Sequence, residues 1–259
     1  MRNTILAVSI LSQVAFLGPA QADAADTALI EYEQALVLTP NPENGRRVYR
    51  ICAICHTPEG WGLDNGAYPQ VAGQLRTVLI KQLADIRARN RDNPTMRPFT
   101  SPRLLGGAQE IADVAAYISQ LPMTPHNGRG PGMDLAWGEQ LYKDNCIECH
   151  GDNGEGDLED HIPAIHGQHF LYLLRQFEWI KMERRRNSER KMVIQIHIFT
   201  PRDIHAVLDY VSRIKPPSEK LAKEGWINPD FPNYARPPDL HSGAGYKIDQ
   251  RALRPKRSQ

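Results

Sequence analysis

The pattern cysteine, two residues, cysteine, histidine occurs twice in this chain, as Cys52-Ala-Ile-Cys55-His56 and as Cys146-Ile-Glu-Cys149-His150. All four cysteines of the 259-residue sequence fall in these two motifs, so none is left over for a structural disulfide. Cysteines at i and i+3 present both thiols on one side of a helical turn. There they can form thioethers to the two vinyl groups of a haem, while the histidine that follows lies beneath the ring as the proximal iron ligand. A thioredoxin-like redox pair needs no trailing histidine, and a zinc site takes its ligands as two complementary pairs. The motifs therefore predict two covalently bound haem c groups, attached through Cys52, Cys55, Cys146 and Cys149, with His56 and His150 on iron.

The repetition extends beyond the motifs. In the same register Pro69 is answered by Pro163, and Gly73-Gln74 by Gly167-Gln168. With one residue less of offset, EIADVAAYISQL from Glu110 aligns with DIHAVLDYVSRI from Asp203. Self-similarity on this scale marks a duplicated structural unit. The copies span residues 23–121 and 134–215, joined by a Pro- and Gly-rich stretch, 122–133, that reads as linker. Each copy looks helical. Val78, Leu79, Leu83 and Ile86 fall at helical spacing, as do Leu173, Leu174, Phe177 and Ile180. Ile111, Val114, Ala115 and Ile118, then Ile204, Val207, Leu208 and Val211, give each copy a closing amphipathic helix. No sustained alternation of period two occurs, so strands should be few or absent.

Residues 1–22 read as a cleaved signal peptide: Arg2 supplies the positive start, Ile5 to Leu17 the apolar stretch, and Ala20-Gln21-Ala22 the cleavage site. The apolar run falls short of the roughly 20 residues a bilayer span requires. The sequence thus predicts an exported, periplasmic protein. Its 31 basic and 30 acidic residues nearly cancel, leaving no global field that would favour nucleic acid.

A low-spin electron-transfer haem needs a second strong axial ligand, usually Met or His. In the first unit Met96 is the sole methionine between His56 and the closing helix, where no histidine occurs. In the second unit Met192 holds the corresponding place, with His197 as its serious rival. Met182 falls on an amphipathic helix, and His161, His166 and His169 crowd the Pro163–Gly167 turn.

With CAICH, YPQVAGQ, Met96 and EIADVAAYI in the first half, and CIECHGDNGEG, IPAIHGQHFLYL, Met192 and DIHAVLDYV in the second, the chain resembles the dihaem cytochromes c of the cytochrome c4 type. The likeness covers about residues 42–215. It implies an all-α fold of two tandem class I cytochrome c domains related by pseudo-twofold symmetry, with His/Met coordination at both irons. It also implies a periplasmic carrier passing electrons among redox protein partners (a dehydrogenase, a reductase or an oxidase) and reaching a membrane-associated complex through its partner. A dihaem enzyme of the peroxidase or thiosulfate-oxidising type would need an iron with an open or displaceable position. An electron-transfer subunit of a larger dehydrogenase is chemically the same as a free carrier.

Two departures from the family pattern stand out. Extra residues around Gly106-Gly107 separate Met96 from the closing helix, which predicts a differently shaped distal loop. Residues 216–259 form an irregular extension rich in proline, with Trp226, Phe231, Tyr234 and Tyr246 and a basic end, RALRPKRSQ. So many aromatics predict an extended arm from about Glu224 to Tyr246 laid against the haem domains or a partner.

Overall fold

The computed structural model describes residues 24–236. The signal segment with its cleavage site, Tyr246 and the basic end RALRPKRSQ lie outside the described residues. The described chain is helical, with two isolated β-bridges, Met123 to Leu221 and Asp157 to Ile162, in place of strands. No described helix is long and apolar enough to cross a membrane.

The first unit contains α1 (Ala24–Val37), α2 (Pro42–His56), α3 (Arg76–Arg87), two single turns α4 (Arg97–Thr100) and α5 (Pro102–Leu105), and α6 (Ala108–Gln120). The second contains α7 (Leu135–Asn145), α8 (Ile147–His150), α9 (Phe170–Lys181), α10 (Arg190–His197) and α11 (Pro201–Val211). Local chemistry sets the boundaries. The Asn41 side chain accepts from the amides of Glu43 and Asn44, and Pro42 takes the first position of α2. Thr200 and Asp203 form a reciprocal capping box at the start of α11, again with proline first. The closing helices bury the predicted faces: Ile111, Val114, Ala115 and Ile118 in one core, Ile204, Val207, Leu208 and Val211 in the other.

Each unit is organised on one close helix crossing, α2 on α6 and α7 on α11. Glycine permits both. A Cβ on Gly45 would lie 2.1 Å from the carbonyl oxygen of Asp113, and one on Gly138 would lie 2.1 Å from that of Ala206. Tyrosines brace the crossings equivalently. Tyr49 donates to the Thr57 carbonyl at 2.8 Å, and Tyr142 to that of Gly151 at 2.6 Å. Their rings pack on Tyr117 and Tyr210 respectively. Gly45→Ala should lower the stability of the haem-loaded protein by about 1–2 kcal/mol, because overpacking against backbone exceeds the gain in helix propensity. A denaturant melt compared with wild type checks this, and an unchanged or raised midpoint would contradict so tight a crossing.

The halves meet in a reciprocal pattern. The Gln74 side chain donates to the Ala164 carbonyl at 2.9 Å and accepts from the Ala164 amide at 3.0 Å. The Gln168 side chain donates to the Gln70 carbonyl at 2.8 Å and accepts from the Gln70 amide at 3.1 Å. Gln74 and Gln168 are equivalent in the repeat, as are Gln70 and Ala164. The interface therefore has the isologous form of a twofold dimer written into one chain.

The 122–133 stretch is fastened to both halves. The Thr124 amide donates to the Gln70 side chain, Asn127 donates to the carbonyls of Gln168 and Ser212, and the Gly132 amide donates to Asp209. Helix α1 was not foreseen from the sequence. It buries Ala28, Tyr32 and Ala35 against the first unit, and Glu31 pairs with Arg87 of α3. The distal segments differ as expected: Met96 precedes two single turns, whereas Met192 lies inside α10.

The extension lies on the first unit. Phe231 is buried edge-on against Tyr49, and the Trp226 ring rests at 5.9 Å from that of Trp61. Its path is a series of turns. In Asn228-Pro229-Asp230-Phe231 and again in Phe231-Pro232-Asn233-Tyr234 the fourth amide donates to the first carbonyl. Proline sits second in both, where its fixed φ suits a turn.

Candidate functional site

The residues of the two motifs are placed by the helix crossings just described. Cys52, Cys55 and His56 lie on the last turn and a half of α2, so both thiols and the imidazole issue from one helix end. In the second half the helix is interrupted at Cys146, which separates α7 from α8. Helical hydrogen bonding still spans the break, since the His150 amide donates to the Cys146 carbonyl at 2.8 Å. None of the four cysteines forms a disulfide. Burial pushes the Cys52 and Cys146 thiols up to about 12, opposite to the depressed range of a reactive redox pair.

The two histidines are oriented alike. His56 Nδ1 lies 3.0 Å from the Pro69 carbonyl oxygen, and His150 Nδ1 lies 3.1 Å from that of Pro163. A carbonyl only accepts, so each Nδ1 carries the proton and each Nε2 keeps its lone pair for a metal. Burial lowers the pKa of both imidazoles, outweighing the opposing effect of the carbonyl, and so favours the neutral, ligating form. The turns that supply these carbonyls are built from left-handed glycines. Gly62, at φ +70°, donates to the His56 carbonyl and packs directly on Tyr68 and Pro69. Gly156, at φ +71°, does the same with His150, Ile162 and Pro163.

Among the described residues no three of His, Cys, Asp and Glu converge on a point that could hold a bare metal ion. One imidazole beside two thiols on the same turn instead suits an iron whose equatorial nitrogens come with a macrocycle. The residues present fit haem c at both places.

Met96 is half-buried at the start of α4, its amide donating to the Asn93 side chain at 3.2 Å. Met192 is half-buried in α10 and packs against the second core, while His197 is exposed at the end of that helix. Met182 is exposed just beyond α9. Of the three crowded histidines, His161 and His169 are engaged elsewhere, whereas the buried Nε2 of His166 has no partner among the described residues. The Tyr32 hydroxyl of α1 lies 2.7 Å from His161 Nε2, and His166 Nδ1 donates to the Asn153 carbonyl at 2.8 Å. His169 accepts from the Gly128 amide at Nδ1 and donates from Nε2 to the Trp61 carbonyl at 2.6 Å, tying second unit to first.

Sequence reasoning missed a polar cluster between the halves. Arg91 donates to Gln82, Gln176 and the Tyr172 hydroxyl, and Arg185 donates to the same two glutamines. The Nε atoms of Arg91, Arg175 and Arg185 are buried and find no acceptor among the described residues. The nearby Asp85 is already shared by Lys81, Asn90 and Asn187. Burial and the proximity of Arg91 pull Arg185 down to about 9. Burial alone would push the Tyr172 phenol up, but the Arg91 and Arg185 guanidiniums outweigh it and the net shift is downward. The cluster is thus short of negative charge, and these arginines are the residues able to hold the anionic edge of a cofactor. Arg91 and Arg185 are equivalent positions of the two units, as are Gln82 and Gln176, in the register that relates His56 to His150, so the cluster repeats the reciprocal pattern of the interface.

The family model described as cytochrome c matches residues 135–215, the second repeat. Cytochrome c4 of Thiocapsa roseopersicina is 32% identical over 152 residues, covering 55% of this chain and 76% of the relative. Cytochrome c4 of Azotobacter vinelandii is 28% identical over 180 residues, covering 62% and 83%. Among solved structures, reduced recombinant cytochrome c4 from Pseudomonas stutzeri superposes with a TM-score of 0.61 at 26% identity, over 68% of this chain and all of that one.

Proposed function

The chain belongs to the cytochrome c4 family, and from that premise we propose that it is an exported carrier. In this reading it takes single electrons from a dehydrogenase or quinol-oxidising complex and delivers them to a terminal oxidase or reductase. It is a dihaem electron-transfer cytochrome with two covalently bound haem c groups. Each haem, when bound, supplies one Fe(III)/Fe(II) couple. The protein's own residues do the rest. Cys52 with Cys55, and Cys146 with Cys149, anchor the groups. His56 and His150 present Nε2, held in orientation by the Pro69 and Pro163 carbonyls. We assign Met96 and Met192 to the opposite faces, a choice favoured at the second site by the packing of Met192 and the exposure of His197. Methionine in that position favours reduced iron and a raised potential, as suits a shuttle. We assign Arg91 and Arg185 to the propionates, whose charge would balance the guanidiniums.

The observation that carries this reading is the matched presentation of an imidazole and two thiols in both halves of a reciprocally joined chain. If Met96 and Met192 complete the two iron sites as assigned, carbon monoxide should bind the fully reduced protein slowly and substoichiometrically, and hydrogen peroxide should not be turned over. Rapid binding of one carbon monoxide per chain at neutral pH would transfer the protein to the dihaem enzymes instead.

A further inference from the structure

The first half carries something on its ligand loop that the second does not. Glu59 lies three residues beyond His56 and is completely buried. The equivalent position after His150 is Asn153, which is exposed. One carboxylate oxygen of Glu59 accepts from Arg236 Nε at 2.7 Å and from the Asn228 amide at 3.2 Å. The other has no hydrogen-bond partner among the described residues. Both partners of Glu59 come from the C-terminal extension.

That extension behaves as a strap over the loop. Asn228 also donates to the Pro58 carbonyl at 2.6 Å, and the Tyr117 hydroxyl donates to Asp230 at 2.9 Å. The Arg236 guanidinium is itself nearly buried and is held by the carbonyls of Phe231 and Tyr234. Its position is therefore fixed by the two proline turns rather than by the ion pair alone. Trp226 and Phe231 shield the same region from water, which lowers the local dielectric and strengthens every charge there.

We propose that this strap, residues 222–236, sets the reduction potential of the first haem by neutralising Glu59 with Arg236, and so makes the two halves of the chain electrically unequal. The proposal rests on the dihaem reading above. Ferric haem bears one more positive charge than ferrous. A bare buried carboxylate on the ligand loop favours the ferric form and lowers the potential. Paired at 2.7 Å with a guanidinium, the same carboxylate acts as a dipole whose field falls off faster, and the potential is held up. Arg236 thus acts through Glu59 and does not touch the iron.

The test is a spectroelectrochemical titration of the full-length dihaem protein, with the hyperfine-shifted NMR signals assigning each potential to its haem. In Arg236→Gln the first haem's reduced-to-oxidised ratio, read where the second haem is half reduced, should fall several-fold while the second haem's potential stays in place. Arg236→Lys should restore part of the loss, and Glu59→Gln combined with Arg236→Gln should return the first haem close to wild type. Should Arg236→Gln alone assemble poorly, Glu59→Gln in the wild-type background decides: loss of the carboxylate should shift the first haem upward only. Equal shifts at both haems, or none at the first in any of these variants, would overturn the proposal. A haem content below two per wild-type chain would overturn the dihaem reading itself.

Discussion

Replacing both Cys146 and Cys149 with alanine should halve the covalent haem of this protein, from two groups per chain to one. The wild type should give two c-type haems in the pyridine haemochrome assay, and its haem stain should survive boiling in detergent. The expectation is large because attachment is covalent: without the thiols of Cys146 and Cys149 no thioether can form, and an imidazole alone holds haem reversibly. The first site should keep its haem in the variant, since the two units have separate hydrophobic cores. The Pro69 carbonyl that orients His56 also belongs to the first unit. A wild-type content of one, or a double variant that still binds two, would refute the assignment of these cysteines.

Met96→Ala and Met192→Ala should each remove about half of the near-infrared charge-transfer band of a methionine–iron bond. Each should also lower the potential of its own haem and open that iron to carbon monoxide. The two are not expected to behave alike in other respects. Met96 stands before two single helical turns, so its removal should loosen a segment already short of regular hydrogen bonding. Met192 lies within an eight-residue helix that packs on the second core, and alanine there also forfeits packing of about 2–5 kcal/mol if the site is fully closed over haem. An unchanged band in Met192→Ala, together with an altered spectrum in His197→Ala, would move the second ligand to His197.

The repeat, the two haem motifs and the closing helices were legible in the sequence because each rests on local spacing. Two cysteines and a histidine on one turn need no tertiary context, and a 3.6-residue apolar period reports burial directly. Helix α1 was not legible. Its buried positions Ala28, Tyr32 and Ala35 are few, small or polar, and its partner His161 lies in the other half. The Gly-Gln pairs at 73–74 and 167–168 were visible as a repeat, but their use as reciprocal clamps depends on how the halves face one another. The aromatic arm was expected to run extended from about Glu224 to Tyr246, with its prolines keeping it out of helix. Its described part packs on the first unit but is folded into turns rather than extended. That the prolines place two consecutive turns follows from the residues around them, Asn228 and Phe231, whose carbonyls accept. The pairing of Glu59 with Arg236 was beyond reach, since nothing in either local sequence names the other.

The glutamine clamps have a consequence for how such a chain can change. In a dimer of identical subunits every substitution at an isologous contact is made twice, so any cost or benefit is doubled and the two sites remain the same. Here the 122–133 segment holds the halves at high effective concentration, so the contact need not sustain assembly from dilute partners. Each half is then free to vary without imposing its change on the other. The first half has gained an extra helix and a belt of proline turns, and keeps a buried acid where the second has an exposed amide. One chain thus holds an ordered pair, with a distinguishable first site and second site, so that a change at one need not appear at the other.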